Sequence, residues 1–81
     1  MKITMLKELI TKRLAVAEYA DLVLPQARHV WPKYKHDRLA LGEAVEQFAT
    51  DNGWNSELRD RSGTKLWFRA RFYRSEFGEN T

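Results

Sequence analysis

Leu66-Trp67-Phe68-Arg69-Ala70-Arg71-Phe72-Tyr73 is the stretch that decides the fold class of this chain of 81 residues. Its apolar residues alternate with the others at a period of two, which is typical of a β-strand, and aromatic side chains favour strands. A helix is the rival, because Leu66, Ala70, Tyr73 and Phe77 also form a narrow helical stripe. We prefer the strand, since it places Phe68 and Phe72 in the core, whereas a helix leaves both on its polar side.

The residues before this stretch offer the strand a partner. Trp54, Ser56 and Leu58 alternate weakly with polar neighbours, and Ser62-Gly63 supplies turn residues between the two segments. The sequence therefore predicts a β-hairpin of about residues 55–60 and 65–74.

A helix with clear end signals precedes the hairpin. Asp37 is a good N-cap residue, and Asn52-Gly53 can adopt the left-handed conformation that ends a helix. Between them the apolar residues follow helical spacing: Leu41, Ala44, Val45, Phe48 and Ala49. The outer side of this helix is acidic, with Glu43, Glu46 and Asp51. These carboxylates disfavour docking of the helix into a nucleic-acid groove, because phosphates repel them.

The N-terminal third also predicts helix. Apolar residues recur every three or four positions at Ile3, Leu6, Ile10, Leu14 and Ala17, so we expect a helix from Ile3 to about Tyr19 or Ala20. Residues 22–31 are expected to form a second short helical turn, with Pro25 tolerated at its first position.

Together these elements predict an α+β fold, in which two or three helices pack on a C-terminal β-hairpin within one small domain of residues 1–81. A small all-α helical bundle is the alternative. The chain has no cysteine, which excludes disulfides and thiolate metal sites. No signal peptide or membrane-spanning run is apparent, so we expect a cytoplasmic protein with no membrane partner. A homodimer would add the buried surface that a chain this small can use.

Charge is distributed unevenly along the chain. Residues 1–36 and 58–81 are each basic, whereas residues 37–57 are acidic, within a net charge of +3. The basic ends suggest an anionic partner. The alternative is that the acidic segment simply packs beside the basic ones.

Two groups of residues are candidate binding surfaces. The first interleaves cations with aromatic rings in residues 28–36 and comprises Arg28, Trp31, Lys33, Tyr34 and Lys35. The second follows the predicted strand and comprises Lys65, Trp67, Arg69, Arg71, Tyr73 and Arg74. Cations neutralise phosphates and aromatic faces stack on bases, so both mixtures suit nucleic acid. Alternatively, Trp31 anchors a loop to the core, and the first helix covers the second surface.

We expect no catalytic residue, no metal and no cofactor, since only His29, His36 and Asp37 are near each other as ligands and no catalytic motif occurs. The leading hypothesis is a non-enzymatic accessory or regulatory protein that binds DNA or RNA through residues 28–36 and 65–74. The alternative is a small protein-binding adaptor or inhibitor, of the kind that phages and mobile elements encode. It would act through the face of Trp67, Arg69, Arg71 and Tyr73, because Trp, Tyr and Arg dominate protein interfaces.

Overall fold

The computed structural model describes residues 2–60 and 66–74. It contains three α-helices and a three-stranded antiparallel sheet, which confirms the predicted α+β fold over the all-α alternative. The elements in chain order are α1 (Ile3–Val16), β1 (Tyr19–Val23), α2 (Leu24–Val30), a 3₁₀ turn (Pro32–Tyr34), α3 (Arg38–Asp51), β2 (Trp54–Arg59) and β3 (Arg69–Arg74).

The predicted hairpin is present, with β2 and β3 paired antiparallel so that Ser56 faces Phe72 and Leu58 faces Ala70. β3 is the central strand of the sheet, in the order β1-β3-β2. Its start at Arg69 is later than the predicted residue 65, and Lys65 lies outside the described residues.

β1 is the element that the sequence prediction missed. Residues 19–20 were expected to end the first helix, but α1 stops at Val16, and Tyr19–Val23 pairs antiparallel with β3. The second helix begins only after this strand, at Leu24, with Pro25 in its first turn as expected. Gln26 Oε1 accepts a hydrogen bond from Val23 N–H at 3.1 Å. This bond joins the last residue of β1 to the first turn of α2 and caps the helix.

The core lies between the helices and one face of the sheet. Ala20 and Leu22 of β1 and Ala70 and Phe72 of β3 are buried on this face. The helices contribute Leu6, Ile10, Leu14, Leu24, Ala27, Leu41, Val45, Phe48 and Ala49. Because side chains alternate along a strand, the odd-numbered residues of the three strands lie on the opposite face, away from the helices.

α3 forms as its local signals predicted. Asp37 Oδ1 accepts a hydrogen bond from Ala40 N–H at 3.1 Å, and the helix ends at Asp51, before Gly53 with its φ of 74°. Its apolar stripe is buried against the sheet, in particular against β2. Within residues 2–60 and 66–74, no helix is long and apolar enough to cross a bilayer.

The prediction that Trp67 projects from the open side of the sheet was wrong. Trp67 is only 3% exposed, whereas Phe68, which was expected in the core, is 37% exposed, and the neighbouring Leu66 is 54% exposed. The regular strand begins only at Arg69, so the alternation that holds for Ala70 and Phe72 does not extend back to these residues. The Trp67 indole instead packs against α3, where its Nε1–H donates to the carbonyl oxygen of Arg38 at 2.8 Å.

Gly42 allows this close approach of Trp67 to α3. A Cβ atom at Gly42 would lie 2.9 Å from Leu58 Cδ1 and 3.0 Å from Trp67 Nε1. We predict that Gly42→Ala destabilises the protein by about 1–2 kcal/mol, because the overpacking outweighs a helix-propensity gain of about 1 kcal/mol.

Urea denaturation measures this change. The matched control is Thr50→Ala, at an exposed position of the same helix, where the propensity gain comes without a clash. If Gly42→Ala is as stable as Thr50→Ala or more stable, the packing of Trp67 on Gly42 is not as described.

Candidate functional site

Basic side chains from three consecutive elements line one open cleft of about 620 Å³. We call it the basic cleft, and its lining is Arg28, His29, Pro32, Lys35, His36 and Arg38. Arg28 and His29 come from the last turn of α2, and Arg38 is the first residue of α3. Between them, Pro32 begins the 3₁₀ turn, and Lys35 and His36 lie in the turn that follows it. The structure thus brings together Arg28 and Lys35, both predicted as binding residues, and adds three further basic groups.

A chain of backbone hydrogen bonds fixes the shape of the cleft. Trp31 N–H donates to the carbonyl oxygen of Ala27, and Tyr34 N–H donates to that of Trp31, at 2.9 and 3.0 Å. Asp37 N–H then donates to the carbonyl oxygen of Tyr34 at 2.9 Å. These bonds join the end of α2 to the start of α3 and hold the residues of both ends around one opening.

Arg38 is held in place by a reciprocal contact with the segment before β3. Its Nε–H donates to the carbonyl oxygen of Trp67 at 2.9 Å, while the Trp67 indole donates to the Arg38 carbonyl oxygen. The fixed guanidinium loses less conformational entropy when it meets a ligand than a free arginine side chain would.

The lining carries charge of one sign. Arg28, Lys35 and Arg38 are permanent cations at neutral pH, and the two imidazoles add further hydrogen-bonding groups. Among the residues that the structure describes, no carboxylate lines the cleft. The neighbouring Asp37 carboxylate accepts the capping hydrogen bond of α3. A concave surface lined by cations concentrates positive potential and attracts anions.

The remaining predicted residues of the 28–36 surface lie away from the basic cleft. Trp31 is half-buried, with its ring edge-on to Phe48 at 5.6 Å between centroids. Tyr34 is also half-buried, and the exposed Lys33 ammonium lies 5.7 Å from the centroid of its ring. The structure therefore separates Arg28 and Lys35 from the aromatic rings of this segment, whereas Lys33 stays beside Tyr34; the sequence pattern had treated all of them as one mixed surface.

The second predicted surface is the face of the sheet that points away from the helices. We call it the open sheet face; its residues are Tyr19, Asp21, Val23, Asn55, Glu57, Arg59, Arg69, Arg71 and Tyr73. Arg69, Arg71 and Tyr73 lie there as predicted, whereas the buried Trp67 does not. Arg74 is exposed at the end of β3. The buried residues of α1 belong to the core on the other side of the sheet, although Leu9 and Arg13 of α1 border a shallow cleft with Tyr19 and Asp21 at the β1 edge.

Asp21 holds the arginines of the open sheet face. Its two carboxylate oxygens accept hydrogen bonds from Arg71 Nε and Nη2 at 2.8 and 3.1 Å, and Arg69 Nη1 lies 3.4 Å from Oδ2. The Arg71 guanidinium also lies 3.9 Å from the centroid of the Tyr19 ring. The hydrogen bond from Arg71, with the charges of both arginines, lowers the pKa of Asp21 below its ordinary value of 3.8, although partial burial opposes the shift.

The open sheet face is therefore nearly balanced in charge. Arg59 pairs with Glu57 at 3.1 Å, so the three arginines of the face stand against two carboxylates that contact them. Its arginines are less suited to release counterions from phosphates than the cations of the basic cleft, which form no ion pair with a carboxylate of residues 2–60 and 66–74.

We predict that Asp21→Asn lowers the free energy of unfolding by about 1 kcal/mol at neutral pH, through loss of a two-pronged ion pair whose carboxylate is 27% exposed. The folded-state pKa of Asp21 lies below 3.8, so this stabilisation is present above that pH and is lost as the pH falls through the folded-state pKa. The difference in free energy of unfolding between the parent and Asp21→Asn, measured by denaturant titration, should therefore become smaller in acid.

The matched control for this variant is Glu57→Gln. The Glu57–Arg59 pair is exposed, with side chains 54% and 43% accessible, and should contribute little. Two results would contradict the assigned role of Asp21. One is that both variants lower the free energy of unfolding equally at neutral pH, and the other is that Asp21→Asn stays equally less stable than the parent in acid.

Three features of these surfaces were not predicted. Neither Arg38 nor Asp21 was among the predicted binding residues. His29 and His36 were weighed as metal ligands with Asp37, but no group of three such residues within 2–60 and 66–74 is placed to hold a metal ion. The closeness of Arg38 to Lys35 and His36 in sequence was the signal that could have extended the first surface.

Comparison with protein-family models, curated proteins and solved structures finds no match to this chain.

Proposed function

We propose that this protein binds nucleic acid as a non-enzymatic accessory or regulatory factor, and that the basic cleft contacts the phosphate groups. The observation that carries the proposal is the convergence of Arg28, Lys35 and Arg38 on one open concavity that no described carboxylate lines. Phosphate oxygens accept hydrogen bonds from guanidinium and ammonium groups, and neutralisation of phosphates releases the counterions that drive binding.

Of the three acidic groups of α3, Glu43 lies nearest to the cleft, roughly 7.5 Å along the axis from Arg38, and the other two lie beyond the range of strong repulsion. At 1.5 Å per residue, Glu46 is roughly 12 Å and Asp51 roughly 20 Å along the axis from Arg38. Both distances exceed a Debye length of about 8 Å at physiological salt, so their repulsion is largely screened.

A titration of labelled oligonucleotide at several salt concentrations tests the proposal. If three phosphates are neutralised, the logarithm of the binding constant falls against the logarithm of the salt concentration with a slope of about −2.7. Affinity then decreases by about 40-fold between about 50 and 200 mM salt. Absence of binding at the lowest salt and high micromolar protein would end the nucleic-acid proposal.

A second candidate function is binding of a protein partner through the open sheet face. It is favoured by the contact network of Asp21, which holds Arg69, Arg71 and Tyr19 in fixed positions before any partner arrives. Tyrosine and arginine are the residue types that dominate protein interfaces, and a fixed side chain loses less entropy on binding.

A capture experiment separates the two functions. Binding through the open sheet face should survive nuclease and change less than about tenfold over the same range of salt, since only rim charges are screened. It should be lost in Tyr73→Ala and kept in Arg28→Ala. The opposite pattern supports the basic cleft.

A further inference from the structure

The described residues that line the basic cleft supply cations but no large aromatic ring. Within residues 2–60 and 66–74, its lining contains no indole, phenol or phenyl ring, and the flat rings there are the imidazoles of His29 and His36. Proteins that bind single strands combine a basic groove with aromatic side chains on which successive bases stack. As far as the described residues form it, the basic cleft has the basic groove and not the aromatic side chains.

The aromatic rings nearest in sequence are turned to a different part of the surface. Trp31 and Tyr34 line a second cleft, together with residues of α1 and α3 that include Ile3 and Gln47. Trp31 also packs edge-on against Phe48, which is itself only 6% exposed. A base could stack on Trp31 from the basic cleft only if the indole left this packing, which would uncover the core.

The elements beside the basic cleft are poorly suited to enter a groove and read base edges. α2 has seven residues and is roughly 10 Å long. α3 is longer, but its exposed side carries Glu43, Glu46 and Asp51, which the phosphates on both sides of a groove would repel. Contact is thereby restricted to the outside of the nucleic acid, where the phosphates lie.

We infer that the basic cleft binds the sugar–phosphate backbone of double-stranded nucleic acid, independently of sequence, rather than unpaired bases. This inference rests on the proposed function and names its ligand class. A duplex carries one negative charge per about 1.7 Å of axis and gives a steeper counterion dependence than a single strand. A cluster of cations without rings on which bases can stack therefore gains more binding free energy from a duplex than from a single strand. Contacts to phosphates carry no direct sequence information.

The test compares four labelled probes at about 100 mM salt. They are two DNA duplexes of unrelated sequence, an RNA duplex and the separated strand of one DNA duplex, each about two helical turns long. We expect at least one type of duplex to bind at least tenfold more tightly than the single strand. The two DNA duplexes should bind within about threefold of each other, since base contacts would discriminate more strongly. Comparison of the affinities for the DNA duplexes and the RNA duplex shows which duplex geometry the cleft binds.

A variant distinguishes stacking from phosphate contact within the cleft. His29→Ala combined with His36→Ala should retain the preference for duplex over single strand, because the permanent cations carry it. If the imidazoles stack on bases, the same variant loses single-strand affinity selectively, and that result overturns the inference.

The remaining outcomes are also decisive. Single-strand affinity equal to or above that of both duplex types overturns the inference and leaves the proposed function standing. A difference of tenfold or more between the two DNA duplexes overturns sequence independence. Failure of all four probes to bind, even at low salt, overturns the proposed function itself.

Discussion

Reversal of two charges in the basic cleft, Arg28→Glu with Lys35→Glu, is expected to weaken binding to a DNA duplex on the order of 100-fold at low salt. Each substitution removes a charge-assisted hydrogen bond of about 1.5 kcal/mol or more and adds a carboxylate that the phosphates repel. Both side chains are exposed, so the fold should be retained. Fluorescence anisotropy measures the affinity, and circular dichroism checks that the variant is folded.

The matched control changes the same number of charges elsewhere. Lys7→Glu with Lys12→Glu places two carboxylates at exposed positions of α1 and gives the same net charge as the cleft variant. If binding responds only to the total charge of the protein, the two double variants lose affinity equally. That outcome would remove the basic cleft as the binding site.

The largest effect on stability is expected for Phe48→Ala, which should lower the free energy of unfolding by about 3–5 kcal/mol. The Phe48 ring lies at the centre of the aromatic cluster, edge-on to Trp31, Trp54 and Phe72 at centroid distances of 5.6, 5.7 and 6.0 Å. Its removal leaves a cavity that these three rings cannot fill without leaving their own contacts. Urea denaturation followed by tryptophan fluorescence measures the loss.

Two further variants keep this prediction testable if Phe48→Ala does not fold. Phe48→Leu retains most of the volume and should cost less than the alanine variant. Leu39→Ala, at a position 62% exposed on the same helix, should change the free energy of unfolding by about 0.5 kcal/mol or less. A cost for Phe48→Leu no greater than that for Leu39→Ala would show that Phe48 does not occupy the centre of the core.

α3 and the hairpin could be predicted from the sequence because their signals are local. Asp37 caps the helix that follows it, and the left-handed conformation of Gly53 comes just after its end. In the hairpin, Ala70 and Phe72 alternate with polar neighbours, and the partner strand β2 is the element directly before β3 in the chain. The helix signals lie within a few positions of the ends that they set, and the hairpin joins two strands that follow each other in the chain.

β1 could not be predicted in the same way, because its conformation depends on a distant partner. Tyr19 pairs with Tyr73, more than fifty residues along the chain, and Asp21 faces Arg71. Ala17 continues the spacing of the α1 stripe, so local periodicity favours a longer helix. The pairing with β3 and the ion pair with Arg71 override that local preference.

Only part of the candidate site could be predicted from the sequence, because contacts beyond the local sequence decide which side chains share a surface. The cations of residues 28–36 were identified from composition, but which side chains share one surface depends on the turn between α2 and α3. That turn sends Arg28 and Lys35 to one cleft and Trp31 and Tyr34 to another. The sequence placed Arg69 and Arg71 on the correct face of β3. Their ion pairs with Asp21 could not be predicted, because Asp21 belongs to β1, the strand that the prediction missed.

The salt dependence of duplex binding, measured for the parent and for the neutral variant Arg28→Gln with Lys35→Gln, tests the central claim most directly. If the basic cleft contacts phosphates, removal of two cations should reduce the magnitude of the slope by about 1.8, from about 2.7 in the parent to about 0.9. Equal slopes for the two proteins would contradict the claim, because they would show that these cations displace no counterions when the complex forms.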